Sequence, residues 1–409
     1  MITPPPPGWR ETTVRRVLHV LDRPARPGLG VITAYRDGVV TLRSNRREDG
    51  YTFSDTENGY QEIRPGDLVF HALDGFSGAV GVSDSHGNGS PVYHVCEPVA
   101  GDDPAYLARL LRHLGTSGFL TTQAPNVRER SVDFRNWSTF ARIPLVVPPV
   151  SEQRAIANYL DRETARIDTL IEEQQRLIEL QRERRAAVVD AALTPSSSWT
   201  RTALKHALDK IDQGVSPQAE AGLADEPDAW GVLKSGCVNH GVFRPQEHKR
   251  LPDDFLFDPA VAVKEGDVIV SRASGSPDLV GSAAIVEHLD YRLILSDKLF
   301  RLQPRRSTDS RFLVWSLNSD RYRVQVRRAI SGADGLANNL PLSKLRGFEM
   351  HFPSLEDQRR IAAYLDDQTA KIDMLIFETE RFIELARERR AALIAAAVTG
   401  QIDVRETVA

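Results

Sequence analysis

QRAIANYLDRETARIDTLIEEQQRLIELQRERRAAVVDAALT, residues 153–194, returns as QRRIAAYLDDQTAKIDMLIFETERFIELARERRAALIAAAVT at residues 358–399. The offset, from 153 to 358, is a constant 205 residues without a gap, and about two-thirds of the positions are identical. A period near half the chain is too long for a solenoid and points to a duplicated two-part unit. Both copies read as helices. Apolar residues recur at Leu160, Ile167, Leu170, Ile171, Leu177 and Ile178, and at Leu365, Ile372, Leu375, Ile376, Phe382 and Ile383. That three-and-four spacing makes one apolar stripe. No proline or glycine interrupts either run. A helix of about 40 residues is about 60 Å long and needs a partner to cover its stripe. The other copy is the expected partner, with Leu160, Ile167, Ile171 and Ile178 pairing against Leu365, Ile372, Ile376 and Ile383.

Working outward, Pro148 and Pro353 mark the loops that deliver the chain to each helix, and Ser151 and Ser354 are the expected N-caps. Pro195 with its serines ends the first helix and Gly400 the second. The expected organisation is therefore a globular domain at 1–150, a helix at 151–194, a second globular domain at 195–352, and a helix with its tail at 353–409. The globular segments retain traces of one plan. Gly66-Asp67-Leu68-Val69 corresponds to Gly266-Asp267-Val268-Ile269, each entering an apolar strand, and Tyr106-Leu107 and Phe312-Leu313 each open a helical stretch. The fold class expected is α+β: two mixed α/β domains separated by two long antiparallel helices that form an intramolecular coiled coil.

Of the 409 residues, 41% are apolar and 26% charged, as in ordinary soluble domains, and no stretch approaches the length of a membrane span. Cys96 and Cys237 are far apart and show no ligand spacing, which fits a reduced cytoplasmic setting without a disulfide framework or zinc site. The net charge of −4 does not advertise a nucleic-acid binder, so any phosphate contacts must come from local patches or partner subunits.

Four features together resemble the specificity subunits of type I restriction-modification systems, over essentially the whole chain. Pro148 to Gln153 and Pro353 to Gln358 each lead into a Gln-Arg-x-Ile-Ala-x-Tyr-Leu-Asp helix. Each helix ends in Glu-x-x-x-x-Arg-Arg, at Glu179 to Arg185 and Glu384 to Arg390. The chain closes on Val398-Thr-Gly-Gln-Ile-Asp403-Val, and each globular half carries the Gly-Asp strand with its glycine turn. The resemblance implies a non-catalytic subunit with two target-recognition domains, each reading half of a split site on double-stranded DNA. It implies two methyltransferase subunits docked on the helices and domains, and two restriction subunits where a nuclease is assembled. It places S-adenosylmethionine on the methyltransferase subunits, with no cofactor in this chain.

Base readout uses arginine and lysine for phosphates and guanines, and amides or hydroxyls for other base edges. Domain 1 offers Arg43, Asn45, Arg46 and Arg47, then Gln123, Asn126, Arg128 and Arg130. Domain 2 offers Lys234 and Ser235, then Arg272 and Ser274, then Arg323, Gln325, Arg327 and Arg328. Because the two domains differ, the expected site is asymmetric. Catalytic sets are mostly missing: there is neither a phosphate-binding Gly-x-x-x-x-Gly-Lys loop nor an amino-methyltransferase Pro-Pro-Tyr/Phe signature. One alternative is a Mg²⁺-dependent nuclease built on Asp228, Glu247 and Lys249 in a loose Pro-Asp…Glu-x-Lys pattern. The other is a coiled-coil scaffold whose domains bind proteins. His86, His94, His240 and His248 lack paired zinc spacing.

Overall fold

The computed structural model describes residues 6–46, 59–124, 127–128, 131–220, 222–226, 228–239, 241–330 and 338–404. It divides into two compact units, residues 1–175 with 380–409, and residues 176–379. Two 44-residue helices, Val150–Leu193 and Leu355–Val398, run unbroken, so each unit owns a segment of both.

In the first unit an antiparallel sheet is ordered Leu18–Val20, Tyr93–Pro98, Leu68–His71, Val80–Val82. The helix Pro104–Thr116 buries Tyr106, Leu107, Leu110 and Leu111 in the domain's core. In the second unit the order repeats as Leu208–Gln213, Leu299–Pro304, Val268–Ser271, Ala283–Ile285, with the helix Ser310–Leu317 in the matching place. The Gly-Asp entries fold alike. Gly66 and Gly266 sit at φ +92° and +88°, a turn that glycine alone adopts cheaply. Asp67 and Asp267 then accept the backbone N–H of Arg64 at 2.7 Å and of Lys264 at 2.9 Å. Pairing of Arg10–Thr13 with Pro144–Val147, and of Thr200–Ala203 with Glu349–Phe352, closes each domain beside its helix entry.

The Pro-x-x-x-x-Gln motif is a clamp. Gln153 is fully buried; its amide donates to Asp102 Oδ1 at 2.7 Å and Pro148 O at 3.0 Å and accepts from Asp103 N at 2.8 Å. Gln358 repeats this with Ser307 O at 3.2 Å, Pro353 O at 3.0 Å and Asp309 N at 2.9 Å. Asp103 and Asp309 are themselves the N-caps of the two domain helices. One buried amide thus ties the start of a long helix to the start of a domain helix. Replacing Gln153 by Ala removes all three bonds and leaves the part-buried Asp103 N–H without its acceptor. The expected loss is about 2–4 kcal/mol, measured as the urea midpoint. An unchanged midpoint would remove the clamp.

The helices pair antiparallel within each unit. Asp168 meets Arg390 at 2.8 Å in the first, and Arg185 meets Asp373 at 2.8 Å in the second. These are the same two repeat positions with roles exchanged, since Asp168 and Asp373, like Arg185 and Arg390, are 205 apart. The seam is narrower than the stripe read from sequence. Ile171, Ile178, Ile372 and Ile383 are buried, and Ile167 and Ile376 half-buried. Leu170, Leu177, Leu375 and Phe382 are exposed, because residues next to each other on a helix point about 100° apart and cannot share a two-helix seam. Leu160 and Leu365 are also corrected. They lie in the cores of the globular domains, with Ile156 and Ala157 in one case and Ala362 in the other.

Ser354 caps its helix, exchanging bonds with Asp357 at 2.8 and 3.2 Å. Ser151 does not cap. The first helix begins at Val150, and Pro149 O accepts from Glu152 and Gln153 instead. Gly400 ends the second helix at φ +71°, pressed so closely on Pro6 and Trp9 that a Cβ would lie 2.6 Å from Pro6.

Candidate nucleic-acid interface

Short polar turns on the globular domains carry the candidate residues. In domain 1, Arg43–Asn45 forms a single exposed turn after the strand Val40–Leu42. Arg43 Nε donates to Thr33 Oγ1 at 3.3 Å and Asn45 Nδ2 to Thr41 Oγ1 at 3.0 Å. Arg46 is bonded to Asp37 at 2.9 Å and lies over the Tyr35 ring at 4.6 Å. That guanidinium holds the Asp37 carboxyl below its ordinary range. The turn therefore presents three polar side chains on preorganised supports. Gln123 is exposed at the end of the helix Phe119–Gln123, and Arg128 lies on the short strand Val127–Arg128. Arg47, Asn126 and Arg130 lie outside the described residues.

In domain 2, residues far apart in sequence come together. Strand Ala273–Ser274 pairs with Asn338–Asn339 and lies against the turn Ser235–Cys237. Lys234, Ser235, Ser274, Asn338 and Asn339 so form one polar cluster, with Lys234 paired to Glu247 at 3.5 Å. Arg272 is partly committed, donating to Asp297 O at 2.9 Å above the Phe300 ring. Two candidates are corrected. Arg323 is 8% exposed and donates to the carbonyls of Val280, Asp278 and Pro277, while Gln325 holds both the N–H and C=O of Glu349 at 2.8 and 3.0 Å. Both are occupied in fixing their helix, Asp320–Ala329, to the domain. Arg327 and Arg328, in its last turn, are exposed.

Sequence reading missed two groups. Asn338 and Asn339 join the domain 2 cluster only through strand pairing. In domain 1, the part-exposed Arg26, Arg64 and His86 converge on the buried Glu62, at 3.0, 2.9 and 2.8 Å. The hydrogen bond from Arg64, then that from His86, holds the Glu62 carboxyl at about 2, against 4.5 ordinarily. A carboxyl lowered on folding stabilises above its unfolded pKa, and that contribution is lost as pH falls through the folded value. The stability gap between wild type and Glu62→Gln is expected to close between about pH 4.5 and 2. Denaturant titrations across that range test it, and a constant gap would contradict it.

The chain is 27% identical over 178 residues to the specificity subunit of the type I restriction enzyme EcoEI of Escherichia coli, a match covering 43% of the chain and 30% of the relative. It is 26% identical over 197 residues to the StySPI specificity subunit of Salmonella potsdam, covering 46% and 40%. The crystal structure of the HsdS subunit from Thermoanaerobacter tengcongensis superposes with a TM-score of 0.59 at 18% identity, over 98% of this chain and 99% of that one. The chain is thus similar in sequence, over part of its length, to type I specificity subunits. A structure from a study of assembly and conformational transition of the type I system matches with a TM-score of 0.71 at 17% identity, over 98% and 100% of the two chains. No family model matches the chain. The chain spans less than half the length of the curated specificity subunits it matches.

The nuclease alternative loses its site. Asp228 is 94% exposed and paired with Arg292, whereas Glu247 is paired with Lys234. Pro227, which completed the pattern, lies outside the described residues, as does His240. Among the described residues no three His, Cys, Asp or Glu side chains could hold a metal ion. His86 bonds Glu62, His94 bonds Phe134 O at 2.7 Å, and His248 is bonded through both ring nitrogens. Both cysteines are free and buried, and burial pushes their thiols up. No helix among the described residues is long and apolar enough to cross a membrane.

Proposed function

We propose that this chain is the DNA sequence-specificity subunit of a type I restriction-modification assembly, itself non-catalytic and working in the cytoplasm. Domain 1 reads one half of an asymmetric bipartite site on double-stranded DNA and domain 2 the other. The observation that carries this reading is the division of labour along the chain. Helices, Gln clamps and ion pairs repeat at an offset of 205, while the polar turns Arg43–Arg46 and Lys234–Ser235 with Ser274 do not. A molecule that keeps its frame twice and varies its two heads suits a target with two different halves at a fixed spacing.

In this reading S-adenosylmethionine and the catalytic groups reside on two methyltransferase subunits, with two restriction subunits in a complete nuclease. Support for docking on the helices comes from apolar side chains left in solvent at matching positions. Leu170, Leu177 and Leu180 on the first helix correspond to Leu375, Phe382 and Leu385 on the second, with exposures from 36% to 53%. Large apolar groups so aligned mark a partner surface. Leu177→Glu with Phe382→Glu is expected to weaken methyltransferase recruitment at least tenfold in analytical ultracentrifugation, without lowering the chain's own melting temperature. Unaltered recruitment would move the docking surface elsewhere.

The decisive experiment maps methylated bases in a host carrying the assembly by single-molecule sequencing. A bipartite asymmetric motif is expected, and exchanging residues 1–150 for those of another specificity subunit should change one half only. An assembly with no preference among competing duplexes at stated salt would end the proposal.

A further inference from the structure

We propose that the second unit carries a docking groove for a basic peptide segment with an apolar side chain, and that the equivalent place in the first unit lacks that excess of negative charge. The groove is an open cavity of about 600 Å³, lined by the end of the first long helix, the start of the second, the helix Ser310–Leu317 and the turn at Gly241–Val242. Its floor is apolar, with the half-buried Trp315 beside Val189, Val314 and Ile285, and Val242 is 54% exposed on the rim.

Charge decides what fits. Five carboxylates line the groove, Asp190, Glu287, Asp320, Asp366 and Asp373, against two arginines, Arg185 and Arg311. Both arginines are already matched, Arg185 by Asp373 at 2.8 Å and Arg311 by Asp366 at 3.2 Å. Asp366 also accepts from Trp315 Nε1 at 2.8 Å. Asp190, Glu287 and Asp320 have no cation partner among the described residues, leaving three uncompensated negative charges around an apolar floor. Phosphate is repelled there, whereas a lysine or arginine flanked by an apolar side chain satisfies both surfaces. The Trp315 ring face accepts a guanidinium, since Arg185 already lies 6.0 Å from its centroid.

The first unit shows the contrast. When Tyr106-Leu107 is set on Phe312-Leu313, Arg109 takes the place of Trp315, Arg112 that of Asn318 and Leu114 that of Asp320. The 205 offset puts Ala395 at the place of Asp190. Arg390–Asp168 repeats Arg185–Asp373, whereas Arg109, at the place of Trp315, pairs with Asp161, the counterpart of Asp366; among the described residues Arg112 has no carboxylate bonded to it and donates to Arg36 O at 3.4 Å. With Leu114 and Ala395 at the places of Asp320 and Asp190, this place lacks the second unit's excess of carboxylates, and Arg112 stands near Asp37. The frame is repeated but the carboxylates Asp190 and Asp320 are not, so a basic segment engages the chain once, at domain 2. This inference is independent of the DNA-reading assignment.

The test titrates the full-length chain, without nucleic acid, with an amphipathic leucine–lysine peptide and a leucine–glutamate peptide of equal length, by isothermal calorimetry. Expected are one site per chain for the lysine peptide, none for the glutamate peptide, and at least tenfold weaker binding for Glu287→Lys and for Asp320→Lys. Trp315→Arg with Asn318→Arg, which installs the first unit's residues, should abolish binding. Asp254→Lys, an exposed carboxylate away from the groove, should change affinity less than twofold. Melting temperatures identify variants that fail to fold, and Glu287, exposed in a loop, provides the safe substitution. Equal binding of the glutamate peptide, several equivalent sites, or an Asp254→Lys effect as large as that of Glu287→Lys would overturn the proposal.

Discussion

Ending the chain after Thr379 is expected to unfold domain 1 and leave domain 2 intact, although no residue of 1–150 is removed. The reason lies in where the end of the chain is buried. Ala397 and Val398 are fully buried and Val404 nearly so in the domain 1 core, with Leu393, Ile394 and Ile402 packed against them. The buried Tyr106 hydroxyl donates to Val398 O at 3.1 Å, and Gly400 lies on Pro6 and Trp9. Burying a large aliphatic side chain contributes about 1.5–3 kcal/mol, so the lost segment is worth on the order of 5–10 kcal/mol. That matches the whole stability of a typical domain. Hydrogen exchange should show protection vanishing across residues 6–175 and persisting across the strands of domain 2. Retained protection in both would mean that the C-terminal segment is not part of domain 1.

One heptad inserted after Gln175, together with one after Thr379, is expected to lengthen the gap between half-sites by about three base pairs. Seven residues add about 10.5 Å and turn the helix by only about 20° short of full turns, so the buried faces keep their direction. Base pairs rise about 3.4 Å each. The insertions fall at the boundary between the two units, and the Asp168–Arg390 and Arg185–Asp373 pairs stay within theirs. The same heptad in one helix alone has no such solution. Each unit takes a segment from both helices, so one lengthened helix cannot keep both ion pairs in register. Loss of the soluble monomer is expected there. Methylation mapping reads the paired variant, and an unaltered spacer would show that the helices do not set the distance.

The frame was legible in the sequence because it is written twice in local signals. Helical spacing, Pro148 and Pro353, the Gln residues and the Gly-Asp strand entries all act over a few residues. Where reading failed, tertiary packing had the deciding part. Leu170 and Ile171 look equivalent on a stripe, yet the second helix leaves room for only one. Ser151 resembles a cap, but the chain turns helical a residue earlier. The candidate turns were legible as polar, glycine- or asparagine-bearing stretches. Arg323 and Gln325 misled because an exposed-looking helix proved to be fixed to the domain through those side chains. Asn338 could not be found locally, because it becomes a neighbour of Ser274 only across a strand pair 64 positions away.

The Gln clamp has a consequence for inheritance. Of the six bonds made by Gln153 and Gln358, five engage main-chain groups and only Asp102 Oδ1 belongs to a side chain. A foreign domain arriving by recombination thus needs no matching side chains at this joint, only a capped helix start that offers its backbone N–H. Compatibility is met by geometry that nearly any sequence can supply. At this joint, then, the frame constrains the backbone of an incoming domain and leaves its side chains free to vary.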